Sequence, residues 1–271
     1  MMNRLSLSTA DTPPFSCRQR SDRVRFLAAW KKWVAALALV VICATYLGPL
    51  LLSFVGRVWI DDDRLNQLHA GTAAGYVRID EMPDYVWKAF VAIEDHRFMQ
   101  HDGVDPVALA RALWVDLQAG AYVQGGSTIT MQLARNLFLS HDKTLLRKLK
   151  EIAVAAELER RYSKRDLLEM YLNVIYFGQG RYGIGSAADL YFGKGGEKGI
   201  RTLTVGEAAL LASLPKAPEA YSPLKHWEKA RQRQQVVLER MAALHMISET
   251  EKNKAVSEPI SLNRRAQSAA Y

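Results

Sequence analysis

Apolar residues recur at helical spacing from residue 83 onward, and this pattern predicts a mainly α-helical chain. The first apolar stripe begins after Pro83 and ends at Glu94, and the second begins at Asp105 and ends at Gly120. Further stripes, and capping boxes ahead of apolar runs, predict four later helices. The residues that mark the second and later helices are Leu109, Leu113 and Leu117; Leu145, Leu149, Ile152 and Ala156; Ser163 with Asp166; Thr204 with Glu207; and Ala230, Val237, Met241 and Leu244.

Other segments lack this pattern. The run 76–79 favours a short strand, residues 1–29 are polar and basic enough to predict disorder, and the tail from Lys252 is polar and loose. We therefore divide the chain into a basic tail at 1–32, a membrane span at 33–55, a stalk at 56–75, a helical domain at 76–250 and a loose tail at 251–271.

The span is predicted from 23 consecutive uncharged residues at 33–55, enough to cross a hydrocarbon core of about 30 Å. Lys31 and Lys32 precede it and three aspartates follow at 61–63, so we expect a cytoplasmic N-terminus and an exported domain at the inner membrane. A cleaved signal peptide is the alternative. The segment is longer than a typical signal core and no small-x-small cleavage site follows it, which favours a retained anchor.

The net charge of +8 does not indicate a nucleic-acid partner, because residues 1–32 alone carry +5. Both cysteines, Cys17 and Cys43, precede residue 56. A disulfide, a cysteine nucleophile or cysteine-ligated zinc is therefore excluded from the segment after the span.

Two acids are the candidate catalytic residues. Glu94 closes a helix beside apolar Phe98, which favours a raised pKa, while Glu151 lies on a helix with Arg147 and Lys148 on the same face and is expected to stay charged. Two carboxyl groups in different surroundings are typical of active sites in which one acts as acid or base and the other stays ionised. The helix around Glu151 taken alone, however, would equally allow this residue to be part of a solvated ion pair.

Between these acids, the loop 125–130 reads Gly-Gly-Ser-Thr-Ile-Thr and offers backbone N–H groups and hydroxyls to an anion. It lacks the lysine and spacing of a Walker loop, and a plain turn with a helix cap would look the same. Cations follow closely, and they could equally form a solvated helix face. They are Arg135, Lys143, Arg147, Lys148 and Lys150.

Together these blocks resemble, in order, the motifs of the peptidoglycan glycosyltransferases of family 51. The matching segments are Glu94–Gly103, 125–132, Arg147–Glu151, Leu167–Asn173 and Tyr182–Lys194, within residues 75–245. The resemblance implies a lysozyme-like fold and an enzyme that polymerises lipid II into β-1,4-linked glycan at the membrane surface.

The resemblance also implies roles for individual residues. Glu94 matches the general base that deprotonates the 4-hydroxyl of lipid II. Glu151 matches a second acid that helps to hold the donor pyrophosphate, directly or through a divalent cation such as Mg or Mn; no other cofactor is implied. The positions matching the donor side are Ser127, Thr128, Gln132, Arg135, Arg147 and Lys148.

Five further residues are expected to support the site. Asp95 and His101 have metal-ligand chemistry, but their place at a turn favours orienting Glu94 instead. Phe98, Gly103 and Asn173 complete this set. Tyr171, beside Asn173 in the fourth motif, is expected to pack and hydrogen-bond within the fold.

The chain departs from the family pattern at two positions. Met131 stands where the family has glutamine, which puts a contact there in doubt, and Arg135 stands where lysine is common. Ser213-x-x-Lys216 and Ser222-x-x-Lys225 imitate a penicillin-binding motif without its later Lys-Thr-Gly, so we expect a monofunctional enzyme.

The implied partners are lipid II, the nascent glycan strand, the membrane and proteins of wall synthesis or division. An apolar patch touching lipid is expected at 120–140, with Val123, Leu137, Phe138 and Leu139 as candidates. Two alternative hypotheses stay open. The first is a membrane-anchored muramidase or lytic transglycosylase, and the second is a catalytically degenerate scaffold, which only Met131 favours.

Overall fold

The computed structural model describes residues 47–73, 75–121, 125–140, 142 and 144–263. The chain separates into a unit at Met1–Leu50 and a unit at Leu51–Tyr271, and the second contains the helical domain. The predicted basic tail and most of the predicted span lie outside the described residues. Residues 51–56 are helical, and no helix in the described ranges is both long and apolar enough to cross a membrane.

The second unit is mainly helical, as predicted, and its described residues contain no β-strand beyond a single bridge between Tyr176 and Tyr182. Short 3-10 helices occupy Arg57–Trp59, Ile79–Glu81 and Phe98–Gln100. The α-helices are α1 (Asp62–Ala70), α2 (Asp84–Glu94), α3 (Pro106–Ala119), α4 (Ile129–Phe138), α5 (Leu145–Arg161), α6 (Lys164–Val174), α7 (Ile184–Phe192), α8 (Gly196–Ile200), α9 (Val205–Ser213), α10 (Trp227–Ala243) and α11 (Glu249–Ser257).

The helix ends follow the predicted capping signals. Asp105 accepts bonds from the backbone N–H groups of residues 107 and 108 at the start of α3, and Gly120 closes that helix in the left-handed conformation. Ser163 and Thr204 form the capping boxes of α6 and α9. The periodic segments were therefore predicted correctly, including the end of α2 at Glu94.

The strand predicted at 76–79 is wrong. Asn173 occupies both backbone groups of Val77: its Nδ2 donates to the carbonyl and its Oδ1 accepts from the N–H, each at 2.9 Å. Glu169 accepts from the N–H of Ile79 at 2.8 Å. Side chains of α6 thus satisfy the polar groups that a neighbouring strand would otherwise have to satisfy.

Both segments that flank the helical domain contain more structure than expected. The predicted stalk includes α1, whose Leu65 is fully buried. The predicted loose tail includes most of α11, which Ser248 and Glu251 cap and whose Ala255 is buried. In each case only two apolar side chains pack on the core, Leu65 and Leu68 of α1 and Ala255 and Val256 of α11, a signal too sparse for periodicity to reveal.

The core places the two predicted acids on different helix sets. Helix α2, which ends in Glu94, packs against α9 and α10, while α4 packs against α5 and α6. Gly103 lies between the sets with φ +86°, and a Cβ there would come within 3.2 Å of the backbone of α5. Only glycine fits both the conformation and the contact.

Candidate active site

A cavity of about 610 Å³ opens at the end of α2. Glu94, Gln132 and Arg135 line it together with the loop 125–128. A second cavity of about 340 Å³ shares Gln132 and Arg135 with the first and extends to Arg147. The fold therefore brings most of the predicted site residues to one pair of adjoining cavities.

Glu94 has a neutral hydrogen-bond partner. The Nε2 of Gln132 donates to its Oε2 at 2.7 Å, and the hydroxyl of Tyr171 donates to the Gln132 Oε1 at 3.3 Å. Desolvation by the surrounding protein raises the pKa of Glu94, and the bond from Gln132 opposes that rise only in part. The predicted rise is confirmed in direction. A carboxyl group that lies in a cavity and has a raised pKa has the properties of a general base.

The residues after Glu94 fasten the helix end to the loop. The carboxylate of Asp95 contacts the Nε2 of His101 at 3.1 Å and accepts the N–H of Ile129, also at 3.1 Å. The Thr128 hydroxyl donates to the carbonyl of Gly103 and accepts the N–H of Met131. Asp95, His101 and Thr128 are buried. These bonds fix where Glu94 stands relative to the start of α4.

Glu151 has charged partners. Its Oε1 is bonded to Arg147 and lies 3.9 Å from the Arg135 Nη1, and its Oε2 lies 3.1 Å from the Nζ of Lys148. The side chain is only 1% exposed. The solvated ion pair that the sequence left open is therefore wrong, because this acid is buried beneath the cations that it gathers.

Lys148 joins this cluster to the loop. Its Nζ donates to the Ser127 Oγ at 2.6 Å while it also contacts Glu151. Desolvation lowers the pKa of Lys148, although the neighbouring carboxylate opposes that change. The predicted loop and three of the five predicted cations, Arg135, Arg147 and Lys148, thus form one connected unit. Lys150 instead lies over the Trp59 ring, and Lys143 lies outside the described residues.

The sequence as a whole matches a known family. The profile of the transglycosylases covers residues 61–242, which include both acids, the loop and the cations. The chain belongs to the transglycosylase family.

Individual transglycosylase relatives support the same assignment. The chain is 49% identical to penicillin-binding protein 1A of Aquifex aeolicus over 70% of this chain and 26% of that protein. It is 42% identical to penicillin-binding protein 1F of Bacillus subtilis, over 88% of this chain and 35% of that one. The chain thus spans about a quarter to a third of these two relatives. A protein of Cupriavidus necator, provisionally named a transglycosylase, is 42% identical over 86% of this chain and 98% of its own.

The departure from the family pattern at Met131 lies outside the cavities. Met131 is fully buried and lines neither of them, so its side chain is not available to a molecule bound there. Phe98 is likewise buried, and Asn173 bonds the backbone of Val77 as described above. These residues shape the site from behind.

A divalent cation fits poorly on Glu151, because both carboxylate oxygens already face cationic side chains. The described residues bring together another set with suitable chemistry. Asp95, His101 and Asp105 are buried with ligand atoms within 4.8 Å of one another. In this set, Asp95 and Asp105 already accept backbone N–H groups.

Sequence reasoning missed several cations that line the larger cavity. They are Arg111, Lys216, Arg233 and Arg240, and His96 lies with them. Tyr171 was noticed, but its bond to the partner of Glu94 was not expected. The seven-residue spacing of Arg233 and Arg240 on one helix was the available signal, since it places both on one face.

The exposed apolar surface differs from the one predicted at 120–140. Leu137 is buried, Phe138 and Leu139 are half-buried, and Val123 lies outside the described residues. The large exposed apolar side chains near the site lie instead on α3 and at the start of α5. They are Leu113, Trp114 and Leu117, which are 70%, 62% and 74% exposed, and Leu145, Leu146 and Leu149.

Proposed function

We propose that this chain is a peptidoglycan glycan-strand polymerase that transfers a lipid-pyrophosphate-linked glycan onto the 4-hydroxyl of lipid II with inversion. The observation that carries the proposal is the pairing of a desolvated carboxyl, Glu94, with a cationic cluster around Glu151 in adjoining cavities. A lysozyme-like architecture for the helical domain is part of the same proposal.

Glu94 acts as the general base. Its carboxylate takes the proton of the acceptor 4-hydroxyl while that oxygen bonds to C1 of the donor sugar. The bond from C1 to the pyrophosphate oxygen breaks, and the electron pair leaves with the pyrophosphate. Gln132 orients the carboxylate from one side by its bond at 2.7 Å.

The cations stabilise the departing pyrophosphate. Arg135 and Arg147 border the smaller cavity, and Lys148 stands beside the Ser127 hydroxyl. A pyrophosphate needs its negative charge neutralised more than it needs a proton, so cations suffice where a glycosidase would need an acid. Because Glu151 is buried, we assign it to positioning these cations and not to touching the donor.

A lipid-linked substrate requires a site beside the bilayer. The exposed apolar side chains of α3 and early α5 would give this domain a lipid-facing surface near the loop. We therefore propose an inner-membrane enzyme with a cytoplasmic N-terminus and an exported domain, anchored through 33–55. We also propose monofunctional action. It is supported by the relative matched over 98% of its length and by the burial of Ser213 and Ser222.

The test is polymerisation of labelled lipid II by the full-length protein beside Glu94→Gln, with Mg²⁺ or Mn²⁺ titrated in. We expect long glycan from the unchanged protein and a loss of at least a thousandfold in the variant, since no other described carboxylate in the cavity is free to serve as base. Soluble muropeptides released from purified sacculi would support the muramidase instead. A folded but inactive protein would support the scaffold.

A further inference from the structure

The segment that leads out of the predicted membrane span lies against the helix that carries Glu151. Residues 51–56 are helical, and Ser53 and Gly56 are the buried positions among them. A Cβ at Gly56 would overlap the backbone of Ala153, which lies two residues after Glu151 on α5. Only glycine lets two backbones approach this closely, so the contact fixes the segment on α5.

Two side-chain contacts extend this attachment along α5. Arg57 pairs with the buried Glu157 at 2.8 Å, and the Nζ of Lys150 lies 5.2 Å from the centre of the Trp59 ring. The contacts thus cover about two turns of the helix. Because Arg57 is 49% exposed, its ion pair adds less to the attachment than the close backbone contact at Gly56 does.

The same segment also reaches α4. The Nη1 of Arg64 on α1 donates to the carbonyl of Leu137 in the last turn of α4. Carbonyls at a helix C-terminus lack partners within their helix, and a cation there interacts favourably with the helix dipole. Gln132 and Arg135 of the same helix line both cavities. Residues 53–64 therefore contact both helices that supply the cations around Glu151.

These contacts lie behind the site. The residues of the segment that make them line neither cavity, so they do not touch a molecule bound there. Leu51, Phe54 and Val55 of the same short helix are exposed, which gives the segment an apolar surface suited to lipid. One side of the segment thus holds the site helices, and the rest is compatible with a bilayer.

We infer that residues 53–64 form a juxtamembrane clamp that positions the cations around Glu151 relative to the bilayer. This inference rests on the proposed function, in which the lipid of the donor stays in the bilayer while its pyrophosphate reaches those cations. A flexible stalk would let the domain turn away from the membrane surface. The clamp instead follows directly on the predicted span at 33–55 and holds α4 and α5 in one orientation. Gly56 and Arg64 are then positioning residues that act through these helices.

The experiment compares a bilayer with a micelle. Full-length protein, Gly56→Val and Arg64→Gln are assayed on long-chain lipid II in liposomes and on short-chain lipid II in detergent micelles, where no bilayer fixes the substrate. In liposomes we expect kcat/KM to fall about tenfold for Gly56→Val, since the added side chain forces the segment off α5, and about threefold for Arg64→Gln. In micelles both variants should stay within about twofold of the unchanged protein.

Two further variants serve as controls. Gly48→Val adds the same side chain where the structure leaves open space, so it should keep normal activity on both substrates. Arg64→Lys keeps a cationic donor and should recover most of the loss. Equal losses in liposomes and micelles would show that Gly56 and Arg64 only support the fold, and the inference would be overturned. Full activity of Gly56→Val in liposomes would overturn it as well.

A distance measurement keeps the inference independent of turnover. A donor dye on Lys229→Cys, an exposed position outside the cavities, is combined with acceptor dyes on the lipid headgroups of nanodiscs, after Cys17 and Cys43 are replaced by serine. Time-resolved energy transfer should give a narrow distance distribution for this protein and a broad one when Gly56→Val is added. Equal distributions would refute the clamp even where glycan synthesis proceeds. A narrow distribution without any glycan synthesis would refute the proposed function alone.

Discussion

The two acids of the site occupy opposite kinds of surroundings. Glu94 accepts a hydrogen bond from the amide of Gln132, which in turn accepts one from the phenol of Tyr171. Glu151 instead forms ion pairs with Arg135, Arg147 and Lys148. Burial raises the pKa of Glu94, so that carboxyl is able to take up a proton. The carboxylate of Glu151 instead balances positive charge.

In the proposed mechanism, this difference separates proton transfer from charge stabilisation on one helical scaffold. Glu94 ends α2 and faces the cavity from a helix terminus, while Glu151 lies within α5 with two of its partners one turn earlier on the same helix. The loop joins the regions through Asp95 on one side and Ser127 on the other. The two functions can therefore be perturbed separately, and each perturbation has its own signature.

The largest effect beyond loss of the base itself is expected from Glu151→Gln. The neutral amide cannot hold three cations, so these will repel one another and leave the positions that a pyrophosphate needs. We expect kcat/KM for lipid II polymerisation to fall roughly a hundredfold, in the range of lost electrostatic stabilisers. Steady-state polymerisation with thermal unfolding on the same samples measures it.

An added divalent cation separates two roles for Glu151. If this acid holds a metal, Mg²⁺ at high concentration should partly restore the variant. If it positions cations, as we propose, Mg²⁺ will not restore it. If Glu151→Gln keeps its activity within threefold of the unchanged protein, Glu151 has no role in the mechanism, and the contrast between its surroundings and those of Glu94 has no functional meaning.

A smaller effect is expected from Gln132→Leu, which removes the neutral hydrogen-bond partner of Glu94 and leaves the cations around Glu151 unchanged. The bond from Gln132 lowers the pKa of Glu94, so its removal should raise that pKa further. A base works only when ionised, and the acidic limb of the kcat/KM profile should therefore move to higher pH. We expect about a tenfold loss at neutral pH from this shift and the poorer orientation.

The pH profile distinguishes this mechanism from simple misfolding. Gln132→Asn, which keeps the amide but shortens its reach, should shift the limb less than the leucine. A uniform fall in rate at every pH, with an unmoved acidic limb, would show that Gln132 does not tune Glu94.

Sequence reasoning predicted the elements better than their faces. The stripe of Leu113 and Leu117 correctly indicated α3, yet both side chains are exposed. Periodicity reports that one helix face is apolar and cannot say whether protein or lipid covers it. For the same reason, the prediction that Leu137 contacts lipid is wrong, because this residue is apolar and near the loop but buried.

The candidate site was predicted in part for similar reasons. The cations around Glu151 lie mostly within one helical turn of it, so local spacing was enough to group Arg147 and Lys148. The bond of Gln132 to Glu94, and the place of Arg233 in the cavity, depend on helices far apart in the chain. Such contacts are set by tertiary packing, which has no single-sequence period.

The smallest effect on activity is expected from Glu157→Gln, which tests whether burial among cations is itself enough to make an acid functional. Glu157 lies six residues after Glu151 on α5, has no exposed side-chain surface, and pairs with Arg57, Arg160 and Arg161. It lines neither cavity. We therefore expect polymerisation per folded molecule to stay within twofold while stability falls.

The pH dependence of that loss is fixed by its pKa. Hydrogen bonds from Arg160, Arg161 and Arg57 outweigh the opposing effect of desolvation and lower the pKa of Glu157 from 4.5 to about 2. The unfolded chain then binds more protons between these values, so the stabilisation is present above pH 4.5 and is lost as pH falls toward 2. Because its partners reach solvent, we expect roughly 2 kcal/mol of destabilisation at neutral pH. Urea unfolding measures the difference in free energy of unfolding between the unchanged protein and Glu157→Gln, and this difference should be smaller at pH 3 than at pH 7.

Two outcomes would contradict this account. An equal difference at both pH values would mean that the loss of stability comes from packing. A hundredfold loss of activity would mean that Glu157, like Glu151, is needed for the reaction.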